Sequence, residues 1–221
     1  MRSLVIAPHP DDEVLGCGGT ILKRKKEGGS IAWLIVTKME NGPDWTQDQL
    51  ALRDSQILKI QEFFGFEKVY QLGYSTMKLE QVPILSIVRD FSNVLKDFTP
   101  NEVFIPFEGD VHSDHRIVHE AAISSTKTFR APYIDRLLSY ETLSETEFNL
   151  SDGVHFKPNY YVNIEEYLEG KIQAMKIYAS EIGEFPFPRS VEAMSTLAKY
   201  RGSNSGLKAA EAFKVLKEIQ K

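Results

Sequence analysis

A single cysteine, Cys17, stands in 221 residues, so no disulfide can close within the chain, and a reducing cytoplasm is the expected home. Long apolar runs are missing too. The longest, Ile31 to Val36, falls far short of the ~20 residues a membrane-crossing helix needs. Near the start, Pro8 and Asp11 interrupt the apolar residues, so no secretory signal segment is expected. An excess of positive charge is also lacking: 26 Lys and Arg face 31 Asp and Glu, a net charge of −5. That balance speaks against a nucleic-acid binder, whose affinity would rest on neutralising phosphates. The one basic run, Lys23 to Lys26, reads as the last turn of a helix, where cations suit the dipole. Internal repeats and low-complexity segments are absent.

What is present is an alternation of strand and helix in a chain that is 42% apolar, of a size expected for one domain spanning residues 1–221. Strands are expected at Ser3–Ala7, Ile31–Thr37, Val69–Leu72 and Glu102–Pro106. Helices are expected at Glu13–Glu27, Gln49–Phe64 (closed by Gly65), Pro83–Phe98 and His115–Thr126. The short, nearly continuous apolar strands suit a sheet covered on both faces. The order predicts an α/β fold: a three-layer αβα sandwich around a mostly parallel, Rossmann-like sheet. Beyond residue 130 the pattern weakens. Leu137–Thr142 and Tyr160–Ile164 read as strands, Glu165–Ser180 as a helix, and Ala209–Ile219 has a helical composition. Phe63, Phe64 and Phe66 read as core.

Two clusters of acids and histidines follow two of the strands. His9, Asp11, Asp12 and Glu13 come after the first, where Pro8 and Pro10 end the ladder. Asp110, His112, Asp114, His115 and His119 come after the fourth. Loops at the carboxyl ends of parallel strands share one sheet edge, where open α/β sheets bind ligands. Two imidazoles and a carboxylate meeting there suit a divalent metal with positions left for water and substrate. Zinc fits that donor set; an iron(II) site would use the same residue types. His119, one turn past His115, reads as packing, and His155 has no assignment. The glycines of Gly16-Cys17-Gly18-Gly19 lack the spacing of a dinucleotide loop and read as close packing of the first helix, with Cys17 a small buried hydrophobe.

Pro8-His9-Pro10-Asp11-Asp12-Glu13, followed by Leu15-Gly16-Cys17-Gly18-Gly19, resembles the first motif of the PIG-L / LmbE-like de-N-acetylases. His112-Ser113-Asp114-His115-Arg116 resembles the second. Arg201-Gly202 and Ala210-Glu211-Ala212-Phe213 resemble the family's C-terminal pattern, which is extended rather than helical. The resemblance implies zinc ligands His9, Asp12 and His115, with Asp11 as general base. It implies that His112 stabilises the oxyanion and assists the leaving amine, and that Arg53 binds substrate; charge on the tetrahedral intermediate calls for a protonated His112. Gln56 stands where the family commonly has Glu, and Gly73-Tyr74-Ser75-Thr76-Met77 replaces a Pro-Asp-Gly stretch. Glu13 and Asp114 would orient the ligand histidines or serve as first-turn acids, and Trp45 and Tyr74 would stack on a sugar ring or serve in ordinary packing.

The reaction expected is removal of the acetyl group from an N-acetylglucosamine-type glycoside or conjugate, with a small amino-sugar molecule as partner and a homo-oligomer compatible with it. Two other readings stand beside it. A phosphoester hydrolase would favour two metal ions and more carboxylates. A catalytically silent sugar-binding protein would keep the pocket without releasing amine.

Overall fold

A computed structural model describes residues 1–221. Seven strands form one sheet in the order β3-β2-β1-β4-β5-β7-β6. They are β1 (Arg2–Ala7), β2 (Ser30–Lys38), β3 (Lys68–Ser75), β4 (Glu102–Pro106), β5 (Arg136–Tyr140), β6 (Tyr160–Asn163) and β7 (Ala210–Glu218). The first five pair in parallel, and β7 runs antiparallel to both β5 and β6. The helices are α1 (Asp12–Lys26), α2 (Gln47–Phe64), α3 (Ile84–Phe98), α4 (Ser113–Ser125), α5 (Leu168–Ile177) and α6 (Val191–Ser203).

The two-residue period of the strands divides the core. Val5 and Ala7 of β1, with Trp33 and Ile35 of β2, pack with residues of α1, α2, α5 and α6. Their alternates Leu4, Ile6, Ala32, Leu34 and Val36 pack with α3 and α4. Side chains of successive strand residues point to opposite faces, so each strand supplies both layers. This is the three-layer α/β arrangement expected. The chain steps from β1 outward to β2 and β3, then returns across β1 to β4. Because parallel crossovers keep one hand, reversing direction moves the helices to the other face. It also opens a crevice at the carboxyl ends of β1 and β4.

The first helix lies close to its neighbours because it is small on one side. A Cβ built on Gly16 would fall 2.3 Å from Cδ2 of Tyr140, and one on Gly19 would fall 2.7 Å from Cγ2 of Ile164. The expected packing role of these glycines holds, and Cys17 is buried. Gly65 closes α2 at φ 60°, a left-handed position that glycine adopts without strain,.

Three expectations need correction, and one helix was not expected. Ala209–Ile219 is not a helix; Ala210–Glu218 is β7, the strand between β5 and β6. Glu165–Ser180 is not one helix: short 3₁₀ turns at Glu165–Tyr167 and Ala179–Glu181 flank α5. A helix that the sequence reading lacked, α6, begins where the Ser190 hydroxyl accepts the Ala193 N–H. Phe64 and Phe66 are core, but Phe63 is 40% exposed. No helix is long and apolar enough to cross a membrane.

Candidate active site and metal centre

The turn after β1 brings the first cluster to the crevice. Asp11 carries an unusual backbone, φ 132° and ψ −29°, which costs energy for a residue with a Cβ. Three bonds hold it. Its N–H donates to Glu13 Oε2 at 3.0 Å, and its carbonyl accepts from the N–H groups of Val14 and Leu15, each at 2.9 Å. Glu13 also accepts the Tyr178 hydroxyl at 2.8 Å. Glu13 therefore shapes the Asp11 turn and orients no histidine, contrary to one of the two roles expected of it.

His9 and Asp12 from this turn meet His115 from α4. His9 Nδ1 lies 3.4 Å from Asp12 Oδ2, His115 Nε2 lies 3.3 Å from the same oxygen, and the two nitrogens are 3.3 Å apart. Three donors on zinc-length bonds of ~2.0–2.1 Å with tetrahedral angles stand about 3.3–3.4 Å from one another. The triangle thus fits three corners of such a site.

The other nitrogen of each imidazole is committed. His9 Nε2 faces Asp114 Oδ2 at 3.2 Å, and His115 Nδ1 faces Asp110 Oδ2 at 2.8 Å. Carboxylates accept, so each outer nitrogen carries a proton, and the inner nitrogens are the ones that would bind an ion once they give up theirs. Asp114 also accepts the N–H groups of Met77 (2.7 Å) and Leu79 (3.3 Å), and Asp110 accepts the Thr146 hydroxyl at 2.6 Å. In a second group with metal-binding spacing, His9, His112 and Asp114, the His9 ring and the Asp114 carboxylate are already bonded to each other. Asp110 stood in the sequence cluster without a role; holding His115 is that role.

Charge follows the same geometry. Burial alone would lower the His9 pKa, but hydrogen bonds to Asp114 and Asp12 outweigh it and hold it up at about 9. Burial pushes Asp12 up, yet His115 and His9 keep it well below the usual carboxylate range. Burial, with Asp12 and Glu181 nearby, raises Asp11 to about 7, while Arg189 and Arg53 pull the other way.

His112 caps α4: its Nδ1 accepts the Asp114 N–H at 3.1 Å. Burial and the neighbouring His9 and His115 push its pKa down to about 4. With Nδ1 accepting that N–H, the ring's proton lies on Nε2. Its backbone N–H donates to Glu145 Oε2 at 3.0 Å.

His9, Asp11, Asp12, His112 and His115 line a cavity of about 220 Å³ together with Trp45, Arg53, Met77, Glu145, Glu181 and Arg189. Arg53 Nη1 donates to the Pro10 carbonyl at 2.8 Å, and its Nη2 donates to Glu181. Tyr74 is bound to Asp90 through its hydroxyl at 2.6 Å and is not in the wall, so its expected stacking role falls. His119 donates to the Pro106 carbonyl from Nδ1 at 2.9 Å, as a packing histidine should. His155 lines a separate cavity with Phe156 and Arg201. Sequence reasoning missed Glu145, Glu181 and Arg189, which sit far along the chain in no recognisable motif.

A family model described as "PIG-L: GlcNAc-PI de-N-acetylase" matches residues 4–126. A diacetylchitobiose deacetylase of Thermococcus kodakarensis is 27% identical, over 99% of this chain and 84% of that protein. A probable N-acetyl-alpha-D-glucosaminyl L-malate deacetylase 2 of Bacillus anthracis is 25% identical, over 80% of each. Among solved structures, the N,N'-diacetylchitobiose deacetylase of Pyrococcus horikoshii gives a TM-score of 0.79 at 23% identity. It covers 98% of this chain and 84% of that one, and at this identity the likeness speaks for the fold.

Proposed function

Since the chain belongs to the PIG-L family, whose model carries the description GlcNAc-PI de-N-acetylase, we propose that it is a zinc-dependent deacetylase of an N-acetylglucosamine-type glycoside or conjugate. Water and the acetamide yield acetate and a free amine. The whole chain, residues 1–221, acts as one catalytic domain.

The observation that carries this reading is the triangle of His9 Nδ1, Asp12 Oδ2 and His115 Nε2, with sides of 3.3–3.4 Å, beside the Asp11 carboxylate in one cavity. These three residues are the ones that would hold the ion. When bound there, zinc supplies a Lewis acid that polarises the acetamide carbonyl and acidifies water.

The remaining chemistry belongs to the side chains. Asp11 takes the proton from the attacking water and later gives it to the leaving amine. Its fixed backbone keeps the carboxylate in the cavity wall rather than turned back to cap α1; the side chain makes no capping hydrogen bond there. Neutral His112 donates from Nε2 to the carbonyl oxygen as negative charge builds on it. Asp110 and Asp114 hold the two imidazoles in the tautomer that binding requires. Arg53 braces the Pro10 carbonyl and so the turn that carries Asp11. The cavity is smaller than the ~300–1,000 Å³ typical of pockets that enclose a whole drug-sized ligand. It suits the acetamido sugar, with the aglycone outside.

The test is amine release from N-acetylglucosamine glycosides and short oligosaccharides, with acetate measured in parallel. One acetate per amine is expected. Asp11→Asn should lower kcat by at least ~10²-fold while metal content stays near wild type. Full activity in Asp11→Asn would remove the general-base role, and no amine release by the wild-type protein from any such substrate would overturn the function.

A further inference from the structure

Two arginines share one carboxylate in the cavity wall, and they are not equally occupied. Arg53 spends one terminal nitrogen on the Pro10 carbonyl and the other on Glu181. Arg189, in the segment between α5 and α6, has Nη2 3.3 Å from Glu181 Oε2. Its Nη1 stands 3.8 Å from Asp11 Oδ2, too far for a hydrogen bond,. Its Nε is buried and has no partner at all. The guanidinium is held over the Phe187 ring at 5.4 Å. A buried donor without an acceptor is a standing cost that a ligand oxygen can remove.

On this basis, and resting on the deacetylase reading, we infer that Arg189 and Glu181 form a donor–acceptor couple that reads the ring hydroxyl next to the acetamido-bearing carbon of the substrate. Asp11 has to meet the water that attacks the acetamide. A guanidinium 3.8 Å from that carboxylate therefore reaches only atoms close to the acetamido carbon. In a 2-acetamido glycoside the two neighbouring positions differ. The C1 oxygen is bridged and can only accept, whereas the C3 hydroxyl both accepts and donates. A cationic N–H beside a carboxylate matches the hydroxyl and leaves half of itself unused at the bridge. Arg189 is thus a specificity-determining contact, and a sugar lacking that hydroxyl is rejected because the charged pair stays unsatisfied.

The test is a cycle of two proteins and two substrates. Wild type and Arg189→Met are assayed on methyl N-acetylglucosaminide and on its 3-deoxy analogue, with Arg189→Lys as a second, charge-keeping variant. Metal content and melting temperature check the fold. For wild type, loss of the hydroxyl should lower kcat/KM by roughly 10–100-fold, the worth of a hydrogen bond to a charged group. Arg189→Met should lose a similar factor on the parent sugar and little more on the 3-deoxy sugar, because the partner is already gone. Arg189→Lys should fall between the two. If either variant loses the same factor on both sugars, the losses multiply and the assignment is wrong. If wild type releases no amine from either sugar, the deacetylase reading fails first and this assignment falls with it.

Discussion

Each of the two inward-facing imidazoles depends on an acid that never touches the ion it would help to hold. Asp114 fixes His9 through Nε2 and is itself fixed by two backbone N–H groups. Asp110 does the same for His115. Removing such a partner weakens metal affinity by about 10–100-fold in comparable sites. Asp114→Asn should show that loss in competition against a fluorescent chelator, and an unchanged affinity would refute the orienting role. At this scale the sequence was informative where chemistry is local. His9, Asp12 and His115 stand out because histidines and acids crowd after a strand that prolines end. Arg189 was invisible because nothing around it is a motif; it reaches Asp11 only through the fold of the last third of the chain.

The element on which the site rests is α1, and its position depends on β7 and α5. Glu211 of β7 accepts the Gly19 and Thr20 N–H groups at 2.9 and 2.7 Å. It is paired at 2.7 Å with Lys171 of α5, which also donates to the Leu15 carbonyl at 2.7 Å. Lys171 and Glu211 are both buried, with side chains only 7% and 5% exposed. Glu211→Ala would strand a buried ammonium and two N–H groups, a loss of about 3–5 kcal/mol. Urea denaturation should show the midpoint falling at an unchanged slope; a loss below ~1 kcal/mol would mean that α1 does not need the pair. The same contacts explain why β7 misled the sequence reading. Ala210, Glu211 and Ala212 favour helix by composition, but hydrogen bonding to β5 on one side and β6 on the other decides their conformation,. The early strands were legible because they are buried on both faces and read as unbroken apolar runs. The division of Glu165–Ser180 was not, since its ends are 3₁₀ turns set by packing.

Across the whole molecule, the strand order creates the site. His9 and Asp12 follow β1, and Asp110 and His115 follow β4. These strands are neighbours only because the chain crosses back at that point in the sheet. Residues about a hundred positions apart thereby face each other across 3.3 Å. The paired motifs foretold that meeting, while the wall that faces the sugar had to be read from the fold. The account depends on where the ion sits. A crystal of the zinc-loaded protein, with anomalous differences measured on both sides of the zinc absorption edge, would locate it. The account predicts one peak per chain, in contact with His9 Nδ1, an Asp12 carboxylate oxygen and His115 Nε2. A peak on His112 and Asp114 instead, or a second peak of equal height beside the first, would contradict it.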